Sequence, residues 1–365
     1  MKLIALKDVC KINMGQSPNS SSYNDYGDGM PFFQGNADFG ERYPITRVWC
    51  NTPTKIAQAE DILISVRAPI GALNYAKEEC CIGRGLAAIT PDRNKVSQDF
   101  IYWALKGKKA ELNDKGNGST FKAISRKILE ETMIPDINFE QQHKCAENLE
   151  KIYGIIQNRR KELLALDDLI KARFVEMFGD SASNEKGWKM NTFGDICTVR
   201  QGLQIPISKR LTEYEEDSYE YITVQYLHGG KEKEYIKSPK ESVKCTKDDI
   251  LMTRTGNTGM VVTNVEGVFH NNFFLIDFDR ERFEKDFLVE YLNLDLIQAD
   301  ITRRAGTSTI PDLNHGEFYK IKVFEPPIDL QKEFDEFKMQ VDKSKLMFQK
   351  LHQKLNILRQ KAGNI

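Results

Sequence analysis

No stretch of the 365-residue chain approaches the ~18 consecutive apolar residues that a membrane-spanning helix needs. The opening Met1-Lys2-Leu3-Ile4-Ala5-Leu6-Lys7-Asp8 has too few apolar residues before charge returns for a secretory leader. Seven cysteines are an odd number and contain no C-x-x-C pair, which argues against a disulfide framework or a zinc ribbon and for a reducing cytoplasm. The five histidines, His143, His228, His270, His315 and His352, are scattered without an H-x-x-x-H pair, so no metal centre is expected. G-x-S-x-G and G-x-x-x-x-G-K-[ST] are both absent, which removes the hydrolase elbow and the P-loop. Gly83-Arg84-Gly85 is a lone G-x-G, read most simply as a turn. An excess of one charge is missing too: 52 Lys and Arg face 53 Asp and Glu. That balance excludes indiscriminate coating of acidic polymers and leaves room for a local basic face. What is present, 40% hydrophobic and 29% charged residues, describes a folded globular chain of two to three domains at roughly 150 residues each.

The chain repeats itself. Leu6-Lys7-Asp8-Val9-Cys10, with Gly15, lines up with Phe193-Gly194-Asp195-Ile196-Cys197, with Gly202. Asp61-Ile62-Leu63-Ile64-Ser65 matches Asp249-Ile250-Leu251-Met252-Thr253, and Gly71 matches Gly259. Gly118-Ser119-Thr120 matches Gly306-Thr307-Ser308, and Pro135 to Phe139 matches Pro326 to Leu330. Order and near-constant offset are kept across separate segments, so one unit of about 185 residues has been duplicated.

Within each copy, β-branched runs such as Ile62–Val66 and Met260–Thr263, bounded by Gly, Pro and Asn, predict short strands. Helical spacing predicts one packed helix per copy, over 99–109 and 285–299. Each copy then closes on a heptad stripe. Leu149, Ile152, Ile156, Leu163, Leu166 and Ile170 form the first; Phe334, Phe337, Val341, Phe348, Leu351 and Leu355 form the second at an offset of 185. Asn138 with Gln141 predicts a capping box for the first helix, and Asp329 a cap for the second. Because a slip of one turn preserves the face, the heptad register is not unique. Two such helices can pair with each other, antiparallel pairing relating the copies by an approximate two-fold axis. The expected fold is therefore α+β: two mixed α/β globules, 1–139 and 180–329, separated by two long helices, 140–179 and 330–365, as an antiparallel coiled coil.

Glu325-Pro326-Pro327-Ile328 approximates the Asn/Asp-Pro-Pro-aromatic motif of amino-methyltransferases, but Ile328 cannot stack on a base and no glycine-rich cofactor loop precedes it. No catalytic residue is expected. Polar, glycine-punctuated loops recur at matching positions instead. Arg67, Arg84, Lys122, Arg254, Arg303 and Arg304 are candidates for phosphate or guanine contacts; Gln16, Asn117, Gln204, Asn257 and Asn271 for adenine or water-mediated contacts. Residues 180–329 hold 19 basic against 26 acidic side chains, so any nucleic-acid face there must be sorted from acids such as Glu213, Glu215, Glu216 and Asp217.

A duplicated unit of globule plus heptad helix, with the Leu/Phe-x-Asp-Val/Ile-Cys opening at 6–15 and 193–202 and the Asp-Asp/Glu-Asp-Ile-Leu strand segments at 60–71 and 248–259, resembles the specificity subunit of Type I restriction-modification systems along essentially the whole chain. The resemblance implies two target recognition domains, each reading half of a split, asymmetric DNA target, with the coiled coil setting the spacing. About 32 helical residues at ~1.5 Å each span on the order of 48 Å, roughly 14 base pairs. It also implies a chain without its own active site or cofactor. Two methyltransferase subunits, docked on the helices, would bring S-adenosylmethionine, and restriction-translocase subunits would bring ATP and Mg2+. Two rivals stay open: the specificity chain of a Type IIB-like system, and a two-globule protein-interaction scaffold without DNA. An autonomous methyltransferase is the weakest reading.

Overall fold

The computed structural model describes residues 2–116, 122–227, 229, 232–307 and 311–363, with side chains up to residue 349. The chain divides into two compact units, Met1–Lys161 with Gln349–Ile365, and Glu162–Phe348. Both long helices cross that division.

In the first unit, strands β1 (Cys10–Met14), β2 (Ile62–Ser65), β3 (Leu73–Tyr75) and β4 (Leu86–Pro91) form an antiparallel sheet of order β1-β4-β2-β3. In the second, β5 (Cys197–Gln201), β6 (Ile250–Thr253), β7 (Val261–Val262) and β8 (Phe273–Phe278) repeat it as β5-β8-β6-β7. The strands read as continuous apolar runs because both sheet faces are covered. Ile62, Ile64 and Ile89 pack with Phe100 and Trp103 of the Gln98–Gly107 helix, while Leu63, Leu86 and Ala88 pack with Phe33 and Ile82 on the other side. Ile250, Met252, Phe274 and Ile276 likewise face Phe287, and Leu251, Phe273 and Leu275 face Ile222 and Phe269. Each such Ile, Leu, Met or Phe side chain, fully buried, contributes about 1.5–3 kcal/mol. A short ladder ties the ends of each copy together, Leu3–Ala5 with Met133–Pro135 and Lys189–Thr192 with Lys322–Glu325.

The matched sequence positions have matched jobs. Ser65 and Thr253, both fully buried, build the same turn: each hydroxyl donates four residues ahead, to the carbonyl of Pro69 or Asn257, and accepts the amide of Ala72 or Met260 at 2.9 Å. Gly71 and Gly259 finish those turns at φ +83° and +88°, a region that favours glycine. Burial raises the thiols of Cys10 and Cys197 to about 12, so both act as small apolar fillers.

Two expectations need correction, and one register left open is fixed. The single packed helix per copy is two. Gln98–Gly107 is followed by Lys109–Asp114, and Lys285–Leu292 by Asp295–Ala305. In the second copy Asn293 ends the first helix, its side chain donating to the Val289 carbonyl at 2.9 Å, and Ile297 and Ile301 carry the apolar face onward past residue 299. Asp329 does not cap the last helix, which starts at Ile328; it lies in the first turn, where a carboxylate suits the helix dipole. The heptad register, open to a slip of one turn, settles one turn from the 185-residue match, because Gln142 and Gln331, 189 apart, make equivalent contacts.

The central helix runs Phe139–Phe178, entered through the Asn138–Gln141 capping box, with reciprocal bonds of 2.9 and 3.3 Å, and stopped at Gly179, φ +83°. The last helix runs Ile328–Gly363. Inside the second unit the two pair antiparallel. Arg173 meets Glu333 at 2.9 Å and Asp167 meets Lys345 at 2.6 Å, so partner numbers rise as the first fall. Ile170, Phe334 and Val341 are buried in that seam, and Leu166 and Phe337 pack against it. Phe174 and Phe178 flank Phe334 at ring distances of 5.3 and 5.6 Å. Leu163 and Phe348 are half-buried. In the first unit Leu149 and Ile156 are buried and Ile152 half-buried. The side chains of Leu351 and Leu355 lie outside the described residues.

Candidate functional site

Three loops converge at the same place in each unit. The first follows β1 or β5. Gly15 and Gly202 have no room for a Cβ, which would overlap the carbonyl oxygens of Gly83 and Ile82, or of His270 and Phe269. This close approach lets the next amide, of Gln16 or Leu203, bond the carbonyl of Ile82 or Phe269 at 3.0 and 3.1 Å. The second loop is that apposed turn, carrying Arg84 in one unit and Asn271 in the other. The third leaves β2 or β6: Val66 and Arg254 are backbone equivalents, bonded to the carbonyls of Gly85 and Asn272, and Arg67 and Thr255 bridge to Ala123 and Asp312. Arg84 thus corresponds to Asn271, and Arg67 to Thr255, although the residue types differ.

A concavity opens where the loops meet. In the first unit it measures about 450 Å³ and is lined by Gln34, Asn36, Asp38, Arg67 and Arg84 among others. Among the described residues neither the Arg67 nor the Arg84 guanidinium has an ion-pair or hydrogen-bond partner, and both side chains are exposed. Asp38 turns its carboxylate to the amides of Gln34 and Gly35, at 2.7 and 3.2 Å, and so orders the loop. Gln16 is exposed beside Arg84, whose amide bonds Ser17 Oγ, and exposed Lys122 directly precedes the Arg67 bridge. Four of the expected residues, Gln16, Arg67, Arg84 and Lys122, therefore share one region. Asn117 lies outside the described residues.

The second concavity, about 510 Å³, is lined by Gln204, Arg254, Thr255, Asn271 and Asn272 together with Gln201. Its cation is committed. Arg254 grips Asp312 through two bonds, 2.8 and 2.6 Å, and reaches Gln201 Oε1 at 3.1 Å. That pairing holds the Asp312 carboxyl below its ordinary range. His315 shares the same Gln201 oxygen at 2.8 Å; burial, then Arg254, pull the imidazole down toward the neutral form. Gln201 in turn donates to the Asn271 and Phe273 carbonyls, so it fixes the turn that presents Asn271. The Asn271 Oδ1 is buried and lacks a partner among the described residues.

The remaining expected residues sit elsewhere. Asn257 is exposed on the Ser/Thr-type turn, its amide 3.5 Å from Met260 Sδ. Arg303 pairs with Asp300. Arg304 pairs with Asp300 at 2.7 Å and Glu317 at 3.3 Å, joining two helices rather than lining the cleft. Glu325, of the methyltransferase-like tetrapeptide, is held by Arg282, Asn191 and Lys189, and its carboxyl is lowered to about 2. Sequence reasoning missed Gln34, Asn36 and Asp38 because their counterparts in the second copy, around Thr223 and Val224, share no residue type. It also missed the role of His315, which only its 2.8 Å hydrogen bond to Gln201 Oε1 reveals.

Among the described residues, no helix is long and apolar enough to cross a membrane. The model of the Type I restriction modification DNA specificity domain matches twice, over residues 1–165 and 185–357. A Methanocaldococcus jannaschii protein named as the MjaX specificity subunit of a type I restriction enzyme is 47% identical over 152 residues, 42% of this chain and 36% of that protein. The MjaIX specificity subunit of the same organism is 26% identical over 251 residues, 62% of this chain and 57% of its own length. The matches thus span between a third and three fifths of these relatives. The Type I restriction-modification S subunit of M. genitalium superposes over 99% of this chain and 94% of its own, with a TM-score of 0.61 at 17% identity, a likeness of fold. Two matched domains covering most of the chain, each with the same three-loop concavity, place it in the family of Type I restriction modification DNA specificity domains.

Proposed function

We propose that this chain is the DNA-specificity subunit of a Type I restriction-modification complex, each globule reading one half of a bipartite, asymmetric target. The observation that carries the reading is the paired platform: identical backbone devices at Gly15 and Gly202 and at Ser65 and Thr253 present different side chains, Arg84 and Arg67 against Asn271 and Thr255. A rigid support with exchanged tips is what base discrimination requires, since backbone contacts position a duplex and side chains on base edges specify it. The guanidinium groups of the first unit, unpaired among the described residues, suit guanine or phosphate, and the carboxamides of the second suit other edges. Such a chain would lack catalysis of its own. Methyltransferase subunits docked on the helices would supply S-adenosylmethionine chemistry, and motor subunits ATP hydrolysis with Mg2+.

Sequencing methylated positions in a host carrying the complete operon tests this. A split motif with two different halves and a fixed gap is expected. A palindromic or uninterrupted motif, or a pattern unchanged when this chain is deleted, would overturn it.

A further inference from the structure

We propose that Asn271 reads an adenine in the half-site taken by the second globule, its Oδ1 accepting from the N6 amino group and its Nδ2 donating to N7. The inference rests on the DNA-reading assignment above and concerns one residue of that site. Three observations on the cleft carry it.

The first is the orphaned acceptor. Among the described residues Asn271 Oδ1 has no hydrogen-bond partner, and it is closed to solvent, so the side chain must turn into the cleft to offer it. Only the contact of Nδ2 with Gln204 Oε1, 3.5 Å and at the outer limit of a bond, holds the amide in its present orientation, so an unsatisfied acceptor and a weakly held donor are free to turn together. The second is preorganisation. The Asn271 carbonyl accepts from Gln201, the Asn272 amide bonds His270 Nδ1 at 3.1 Å, and the Asn272 carbonyl accepts from Arg254 at 2.7 Å. The turn is fixed from both sides before any ligand arrives. The third is that the neighbouring cation is spent. Arg254 is locked on Asp312 and Gln201, and both ends of the Gln201 amide are occupied.

The four bases then separate by chemistry. In the major groove guanine offers two acceptors, O6 and N7, one of which would face the unpaired Oδ1. Thymine offers an acceptor and a methyl group, and cytosine a lone donor. Adenine alone offers a donor beside an acceptor, the complement of a carboxamide.

The test uses the complete complex and duplexes carrying its methylome-derived target. Each adenine of the second half-site is replaced in turn by purine, which lacks the N6 amino group, or by 7-deaza-adenine, which lacks N7. Binding is measured by competition. At one adenine both replacements are expected to weaken binding by about 5- to 100-fold. Asn271→Ala should weaken the native duplex similarly and lose further sensitivity at that position. Asn271→Asp, which keeps the acceptor and loses the donor, should stay sensitive to purine and become indifferent to 7-deaza-adenine. Sensitivity at no adenine of that half-site, sensitivity at a cytosine instead, or additive losses in the variants would overturn the assignment. A wild-type complex without any target preference would instead overturn the broader reading.

Discussion

Gln331 Oε1 accepts the backbone amide of Glu284 at 2.9 Å, pinning the residue before the Lys285–Leu292 helix to the first turn of the last helix. The same carboxamide donates to the carbonyls of Arg282 and Pro326, at 3.0 and 2.9 Å. In the first unit Gln142 does the equivalent, accepting from the Ser97 amide at 2.7 Å and donating to the Ile137 carbonyl at 2.8 Å. Both glutamines are buried. A globule and its long helix are therefore joined by side chain to backbone bonds as well as by apolar packing.

Removing such a pin orphans buried backbone groups, each costing about 1–3 kcal/mol. Gln331→Ala and Gln142→Ala are each expected to destabilise their unit by about 2–4 kcal/mol. Denaturant unfolding of the purified chain checks this. A cost below that of an ordinary surface substitution would show that water replaces the glutamine freely.

Gly202→Ala is expected to disturb reading more than folding. A Cβ there meets the His270 and Phe269 carbonyl oxygens, so the turn carrying Asn271 must open. Degeneracy should appear in the half-site read by the second globule, with the other half-site intact. Gly154→Ala, on the central helix where a Cβ meets nothing within 4 Å, is the contrasting substitution and should stabilise by up to about 1 kcal/mol. Methylome sequencing of the two variants separates the outcomes.

These glycines also show where sequence was sufficient. Gly15 with Gly202, Gly71 with Gly259, and Ser65 with Thr253 stand out as a repeat because their backbone demands tolerate little substitution, so residue type and position survive together. The heptad stripes are legible for the same reason, an apolar face being a periodic requirement. Their register is not, since one turn slips without penalty and the deciding residue, Gln331, is polar. The cleft is harder still. Arg84 and Asn271 are equivalent only through the backbone, and nothing in the sequence distinguishes Arg254, locked on Asp312, from Arg67, which is unpaired among the described residues. Asp312 lies 58 residues away.

The helix pair in the second unit should owe its stability to aromatic burial rather than to its ion pairs. Phe334 is fully buried between Phe174 and Phe178, and its replacement by Ala leaves a cavity costing about 3–5 kcal/mol. Glu333 is exposed and Arg173 only half-buried, and Glu333→Ala should cost about 0–1 kcal/mol. Comparable losses from both in thermal unfolding would contradict this ranking.

Asp335 gives the second unit a pH dependence of definite sign. Its Oδ1 is buried without a partner among the described residues, close to Lys338, which itself pairs with Asp286 at 3.3 Å and Glu290 at 2.9 Å. Burial, then the carboxylates of Asp286 and Glu284, push its carboxyl up to about 7, with Lys338 and Lys285 opposing. Between about pH 4 and 7 the folded state thus holds a proton that the unfolded chain has already released. Stability from this residue is present at low pH, declines as pH rises from about 4 through 7, and is then level. Asp335→Asn, which never ionises, should leave the unfolding midpoint nearly unchanged at pH 4 and raise it at pH 8. Each kcal/mol of relief is worth about 3 °C. Thermal melts of both proteins at the two pH values decide it: an equal shift at pH 4 and pH 8 would mean that Asp335 is ionised throughout, with Lys338 as its counter-ion.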